Sequence, residues 1–153
     1  MSKLPLLVVQ YEITGHRRRT EHWDLAAIRS DQFNARIFQL KGNTDTFSFD
    51  AHEIDGIHHD RTTYLGGVLV GYVLENQLSL LETWLEQVPI WRNRTDWDCQ
   101  DWVVDVLKEL WMNHPGIVLP GCSSERFIRQ ELELEKERDQ LGQDLIHERM
   151  NIW

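Results

Sequence analysis

Hydrophobic and polar residues alternate along the first half of the chain with the period of two that is typical of half-buried β-strands. The alternation predicts five strands, which cover Pro5–Ile13, His22–Ile28, Ala35–Leu40, Thr46–Asp50 and Gly66–Leu74. The turn between the second and third strands is short, so these two can pair as an antiparallel hairpin. Residues 51–63 are polar and rich in histidine, and the pattern predicts a loop there.

In the second half of the chain, hydrophobic residues recur every three to four positions, which indicates helices. Helices are predicted over Asn76–Gln87, Asp98–Met112 and Glu125–Arg149, and Ile117–Leu119 forms a short extended segment. The last helix is dense in charged residues, so we expect it to be solvated and to lie on the domain or on a partner. The prediction is therefore an α+β domain over residues 1–122, followed by a charged C-terminal helix over residues 123–153.

The charge of the chain restricts its partners. Its 153 residues suffice for one domain with a proper core, and 16 basic residues against 25 acidic ones give a net charge of −9. Such a surface repels phosphate backbones and anionic lipids, so we expect no nucleic-acid partner. The run Arg17-Arg18-Arg19 is a local exception that we interpret as a solvated loop between strands.

Compartment and metal chemistry follow from the apolar runs and the cysteines. No apolar run reaches the ~20 residues that span a bilayer, so we predict no integral membrane segment. The N-terminal apolar run is short and interrupted by Pro5, which favours a strand over a signal peptide. We therefore expect a cytoplasmic location. Two cysteines do not make a disulfide scaffold, and His58-His59-Asp60 lacks the ligand spacing of a zinc site. We therefore expect neither a metal nor a cofactor.

Cys99 begins the helix predicted over Asp98–Met112, and Asp96 or Asp98 can cap that helix. The positive end of the helix dipole favours a thiolate at this position. A cysteine on the buried stripe of a helix is more often a plain core residue, so a catalytic role requires a base.

Histidine is the natural base, and His22 is the one histidine of seven that begins a predicted core strand. We expect its strand face to look toward the Cys99 helix. Gln39, near the end of the neighbouring strand, can accept a hydrogen bond from the imidazole and fix its tautomer. Asp24 shares the face of His22 and is a second candidate for this role.

Two short segments carry a resemblance to a known family: Glu21-His22-Trp23-Asp24-Leu25 and Asp98-Cys99-Gln100-Asp101-Trp102. Their order resembles that of the circularly permuted NlpC/P60-like, papain-like thiol enzymes, best known as the lecithin:retinol acyltransferase-like family. A closer likeness is to small fungal proteins that combine a His-Trp strand with Val-Pro-Ile and Trp-x-Cys-Gln-x-Trp-Val. Those elements stand here at Val88-Pro89-Ile90 and at residues 97–103, and the likeness covers roughly residues 6–120.

The resemblance implies a papain-like fold, an antiparallel sheet packed against the cysteine-bearing helix. It implies Cys99 as nucleophile and His22 as base, with Gln39 at or near the position of the family's second histidine. That glutamine is a departure from the family pattern. The N–H of Cys99 would help to hold an oxyanion, and Tyr11 could add a hydroxyl, although a core tyrosine is the simpler interpretation.

Three functions remain open at this point. The first is a thiol-dependent acyl-transfer enzyme (hydrolase, amidase, acyltransferase or cyclase) acting on a small acyl or peptide-like metabolite of fungal secondary metabolism. The second is a non-covalent small-molecule-binding, cyclase or isomerase domain, with a pocket lined by Trp23, Trp91, Trp97 and Trp102. In that case Asp24 or Asp101 would act as the acid or base. The third is an interaction protein whose charged C-terminal helix docks a partner or forms a homo-oligomer.

Overall fold

A computed structural model describes residues 2–15, 18–58 and 63–140. Its strands are β1 (Lys3–Glu12), β2 (Glu21–Ile28), β3 (Ala35–Lys41), β4 (Ser48–Ile54) and β5 (Tyr64–Leu74). Its α-helices are α1 (Leu78–Glu86), which follows a 3-10 turn over Glu75–Gln77, α2 (Cys99–Asn113) and α3 (Glu125–Gln140). In the part of the chain covered by these ranges, no helix has the length and apolar character needed to cross a bilayer.

The five strands form one sheet in the order β4-β3-β2-β1-β5, and every pair of neighbours is antiparallel. The predicted α+β class and antiparallel sheet are therefore confirmed. The predicted hairpin of β2 and β3 is present as well, with pairing from Leu25 opposite Phe38 to Ile28 opposite Ala35. β5 crosses to the far side of β1 and completes the sheet.

The period of two along β2 separates two hydrophobic cores. Trp23 and Leu25 lie in the larger core with α2, where Trp102 is fully buried. Ala26 and Ile28 lie in a smaller core on the other face of the sheet. Burial of one large apolar side chain contributes about 1.5–3 kcal/mol, so the larger core provides most of the hydrophobic stabilisation.

The C-terminal helix α3 belongs to the larger core through Ile128 and Leu132, both fully buried. The buried amide of Gln10 on β1 donates to the carbonyls of Leu65 (3.0 Å) and Leu132 (2.6 Å), which fastens α3 to the sheet. The helix therefore packs on the domain along a buried stripe. Residues 141–149 of the predicted helix lie outside the described residues.

Several predicted bounds shift by one or two residues, and the larger differences concern β4 and α1. β4 begins two residues later than predicted and continues to Ile54, so 51–54 are strand and not loop. This segment looks polar because β4 is an edge strand whose residues stay partly exposed, yet its pairing with β3 fixes it. The helix predicted from Asn76 starts as a 3-10 turn, and α-helical geometry begins at Leu78.

Candidate active site

The N-terminus of α2 positions Cys99. Asp98, not Asp96, is the capping residue: its Oδ1 accepts a hydrogen bond from the backbone N–H of Gln100 at 3.0 Å. In return, Asp101 Oδ2 accepts from the N–H of Asp98 at 2.9 Å, which completes a capping box. Cys99 is therefore the first residue of the helix, and 4% of its surface is exposed.

Two arginines hold this cap. Arg19 contacts Asp98 at 2.8 Å, and Arg18 contacts Asp101 at 2.8 Å. Burial would raise the pKa of Asp98, but the hydrogen bond and charge of Arg19 hold that pKa below its usual value. Burial and the neighbouring Asp98 carboxylate raise the pKa of Asp101. Arg18 and Arg19 lie in the predicted loop between β1 and β2, where Arg18 is exposed, and both also pair with the α2 cap. Arg17 lies outside the described residues.

His22 meets Cys99 through a gap between β2 and β3. By the alternation along β2, His22 lies on the sheet face opposite α2, so the predicted face is wrong. The pairing of β2 with β3 stops at Leu25, however, and α2 fills the space beyond it. There Gln100 Nε2 donates to the carbonyl of Glu21 at 2.7 Å. Across this gap Cys99 helps to raise the pKa of His22, and the two side chains line the same cleft.

The far side of the imidazole is held by two acceptors. His22 Nε2 lies 2.5 Å from Asp24 Oδ1 and 3.1 Å from Gln39 Oε1. Both oxygens can only accept a hydrogen bond, so Nε2 must carry a proton. Nδ1 is then the ring nitrogen that is available to the thiol of Cys99. Burial opposes the charged imidazole, but the hydrogen bonds and charges of Asp24 and Cys99 raise the pKa of His22 to about 11. Folding therefore favours the protonated form of the ring.

Cys99 and His22 line one cleft of about 390 Å³. The ends of β1 and β3 form its walls; the lining residues other than this pair are Ile13, Thr14, Gly15, Gln39, Leu40, Lys41, Gly42 and Phe47. The cleft is large enough for a small acyl or peptide-like group.

The backbone N–H of Cys99 has no hydrogen-bond acceptor among the described residues, because the cap takes the N–H groups of the next two residues. A free N–H at a helix N-terminus beside a nucleophile can stabilise an oxyanion. Tyr11 does not join it: the Tyr11 hydroxyl donates to the carbonyl of Ile57 at 3.0 Å, and the side chain lines a different cavity. The structure therefore places Tyr11 in a structural role.

The tryptophans do not form the walls of the Cys99 cleft. Trp23 is buried beneath the guanidinium of Arg129, and Trp102 is fully buried in the larger core. Trp97 donates its indole N–H to Asp105 at 3.0 Å and lines a neighbouring cavity that shares Gly15 with the cleft. Among the described residues, therefore, no tryptophan lines the cleft at Cys99.

Sequence reasoning missed Asp50 and His52. Asp50 Oδ2 accepts from Gln39 Nε2 at 2.9 Å and lies 2.7 Å from His52 Nδ1. In the register of β3 with β4, Gln39 stands opposite Asp50. Continuing β4 to Ile54 in the sequence prediction would have placed both residues on the face of Gln39.

The described residues contain no cluster of three or more histidine, cysteine or acidic side chains that could hold a metal ion. His58 packs its ring edge-on against Phe33 and Tyr64. The other two residues of the His58-His59-Asp60 motif lie outside the described residues. Cys122 is buried, its thiol faces the carbonyl of Leu69, and burial raises its pKa.

No family model, no curated protein and no solved structure matches this chain.

Proposed function

We propose that this chain is a thiol-dependent acyl-transfer enzyme of the permuted NlpC/P60-like, papain-like kind. The observation that carries the proposal is the arrangement around His22. His22 shares a cleft with Cys99, which helps to raise the pKa of the imidazole, and the Nε2 atom of the same ring faces Asp24 and Gln39. Nucleophile, base and orienting groups in this order are what covalent catalysis requires.

In the proposed reaction Cys99 and His22 act as a thiolate–imidazolium pair, in which the thiol proton already resides on His22 and Asp24 stabilises the imidazolium by its charge. The thiolate attacks the carbonyl carbon of the substrate, a C–S bond forms, and the carbonyl oxygen becomes an oxyanion that the N–H of Cys99 stabilises. His22 then gives its proton to the leaving amine or alcohol as the bond to that group breaks, which leaves a thioester. Water, an amine or an alcohol gives a proton to His22, attacks the thioester and releases the product.

Gln39 can accept a hydrogen bond from the imidazole but supplies no full charge, whereas Asp24 supplies both. The pair therefore divides two tasks, with Gln39 orienting the ring and Asp24 stabilising its charge. The substrate class that we propose is a small acyl or peptide-like molecule, because the cleft volume suits such a group and its walls are mixed polar and apolar.

Alkylation of Cys99 by iodoacetamide, followed by intact mass over a range of pH, tests the proposal. The background is Cys122→Ser, so that only one thiol reacts. We expect rapid labelling near pH 6 that His22→Ala slows about a hundredfold, since a free thiol with a pKa of about 8.5 is then almost fully protonated. His114→Ala is the matched control, because that ring stacks on Trp84 at the far end of α2.

Slow labelling that His22→Ala leaves unchanged would refute the covalent mechanism. If the activated thiol is present, release of product from simple esters and amides identifies the acyl acceptor. Cys99→Ser should abolish that turnover and leave the fold intact by circular dichroism.

A further inference from the structure

Asp50 lies one layer behind the proposed catalytic groups. It stands on β4 directly opposite Gln39 and has no contact with Cys99 or His22. Its Oδ2 accepts a hydrogen bond from Gln39 Nε2 at 2.9 Å, while the other end of the same amide, Oε1, faces His22 Nε2 at 3.1 Å. One side-chain amide therefore bridges a carboxylate and an imidazole.

This bridge has a fixed direction. An amide can present either its oxygen or its NH₂ group to a neighbour, but an ionised carboxylate only accepts hydrogen bonds. Next to Asp50, the Gln39 side chain must therefore point its NH₂ group at the carboxylate. The oxygen is then directed at His22, where it can only accept, and the proton of the imidazole is kept on Nε2.

The groups around Asp50 keep its carboxylate ionised, so that it can accept a hydrogen bond from the Gln39 amide. The Gln39 amide lowers the pKa of Asp50, burial opposes the shift, and His52 and Lys41 add to the lowering. His52 Nδ1 lies at 2.7 Å, and Lys41 Nζ lies at 3.8 Å. The carboxylate thus stays ionised and acts as an acceptor throughout the neutral range.

We propose that Asp50 is a positioning residue, which orients the amide of Gln39 so that its oxygen holds the imidazole of His22 in the geometry needed to serve Cys99. The inference rests on the proposed function for its catalytic meaning. The orientation of Gln39 itself is a property of the fold and can be measured separately.

The experiment compares Asp50→Asn in two backgrounds, one with Gln39 and one with Gln39→Leu. Asparagine has the same shape but can donate, so it removes the constraint on the Gln39 amide. Two quantities are measured: the rate of Cys99 alkylation as a function of pH in the Cys122→Ser background, and the ¹⁵N titration of the His22 ring. Asp31→Asn, which removes an exposed carboxylate in the turn between β2 and β3, is the charge-matched control.

With Gln39 present, we expect Asp50→Asn to slow Cys99 alkylation near pH 6 about fivefold, the equivalent of one hydrogen bond. The midpoint of the His22 titration should fall, because an acceptor that favours the protonated ring is no longer held in place. In the Gln39→Leu background Asp50→Asn should change neither quantity further, because Asp50 then has no amide to orient.

An unchanged His22 titration in Asp50→Asn overturns the inference, and so does an equal shift in both backgrounds, which would mean that Asp50 acts through its charge. Asp50→Ser provides the same comparison if the asparagine variant is too unstable to measure. A wild type with an unreactive Cys99 refutes the proposed function alone, because the His22 titration still reports whether Asp50 orients Gln39.

Discussion

His22 combines partial burial with a pKa that the fold raises above its ordinary value. Its side chain is 20% exposed, which disfavours the charged ring, yet Asp24 lies 2.5 Å away and compensates. The same carboxylate that would stabilise the imidazolium in a reaction therefore also stabilises the folded protein, and this second effect depends on pH.

The contribution of His22 to stability should decrease with rising pH. The pKa of this group is 6.5 in its ordinary state and about 11 in the folded protein, so folding favours the protonated ring. The contribution is complete below about pH 6.5 and is lost as pH rises from there toward 11. Urea unfolding should show a free-energy difference between wild type and His22→Gln that is largest near pH 6 and shrinks by pH 9.

His114→Gln serves as the control for this series, because His114 stacks on the Trp84 ring and has no carboxylate contact among the described residues. A difference between wild type and His22→Gln that stays constant over the whole pH range would show that folding does not raise the pKa of His22.

The N-terminus of α2 is the element on which the site depends. Its capping box satisfies the N–H groups of Gln100 and Asp101, and Arg18 and Arg19 tie the two carboxylates of the box to the loop that precedes β2. The loop that contains Arg18 and Arg19 thereby connects the start of α2, where Cys99 lies, to β2, which carries His22.

Asp98→Ala should destabilise the protein by about 1–2 kcal/mol, the usual cost of losing a helix cap. It should also slow Cys99 alkylation, because the first turn of α2 loses its anchor. Asp96→Ala is the matched control: Asp96 is exposed, pairs with Arg94, and its loss should change stability by less than about 0.5 kcal/mol. Denaturant unfolding of both variants checks this, and equal effects would contradict the assignment of the cap.

The sequence allowed some of these elements to be predicted and concealed others for identifiable reasons. The α2 start at Cys99 follows from a local cap and a hydrophobic stripe, which are properties of adjacent residues. The gap between β2 and β3 arises where α2 packs against the sheet, which depends on tertiary structure. The alternation along β2 therefore did not indicate how the His22 side chain approaches Cys99. Asp50 was part of a predicted strand, but its position opposite Gln39 depends on the register between β3 and β4, which the sequence pattern does not specify.

At the level of the whole molecule, α3 is part of the domain rather than an appendage. Leu132 is 1% exposed and contributes to the core that contains α2. Arg129 on the same helix donates to Gln100 at 2.6 Å and covers the Trp23 ring. Through Gln100 and Trp23, α3 supports both elements that bear the candidate active site.

Leu132→Ala should therefore lower the free energy of unfolding by about 2–5 kcal/mol, the cost of a cavity in a packed core. Leu134→Ala removes the same group from a position that is 43% exposed and should have an effect below about 0.5 kcal/mol. Thermal and urea unfolding measure the loss in free energy of unfolding of each variant. Similar losses for both would mean that α3 does not contribute to the core.

The gap between β2 and β3 also determines how reagents reach this protein. Cys99 opens into the cleft formed by the ends of β1 and β3, whereas Asp24 lines a separate cavity of about 420 Å³ that includes Tyr11 and His52. Those two cavities share no lining residue, yet His22 contacts a side chain from each. A thiol-directed reagent would thus reach Cys99 through one opening, and a carboxylate-directed reagent would reach Asp24 through another. The two sites of reaction lie on either side of the same imidazole.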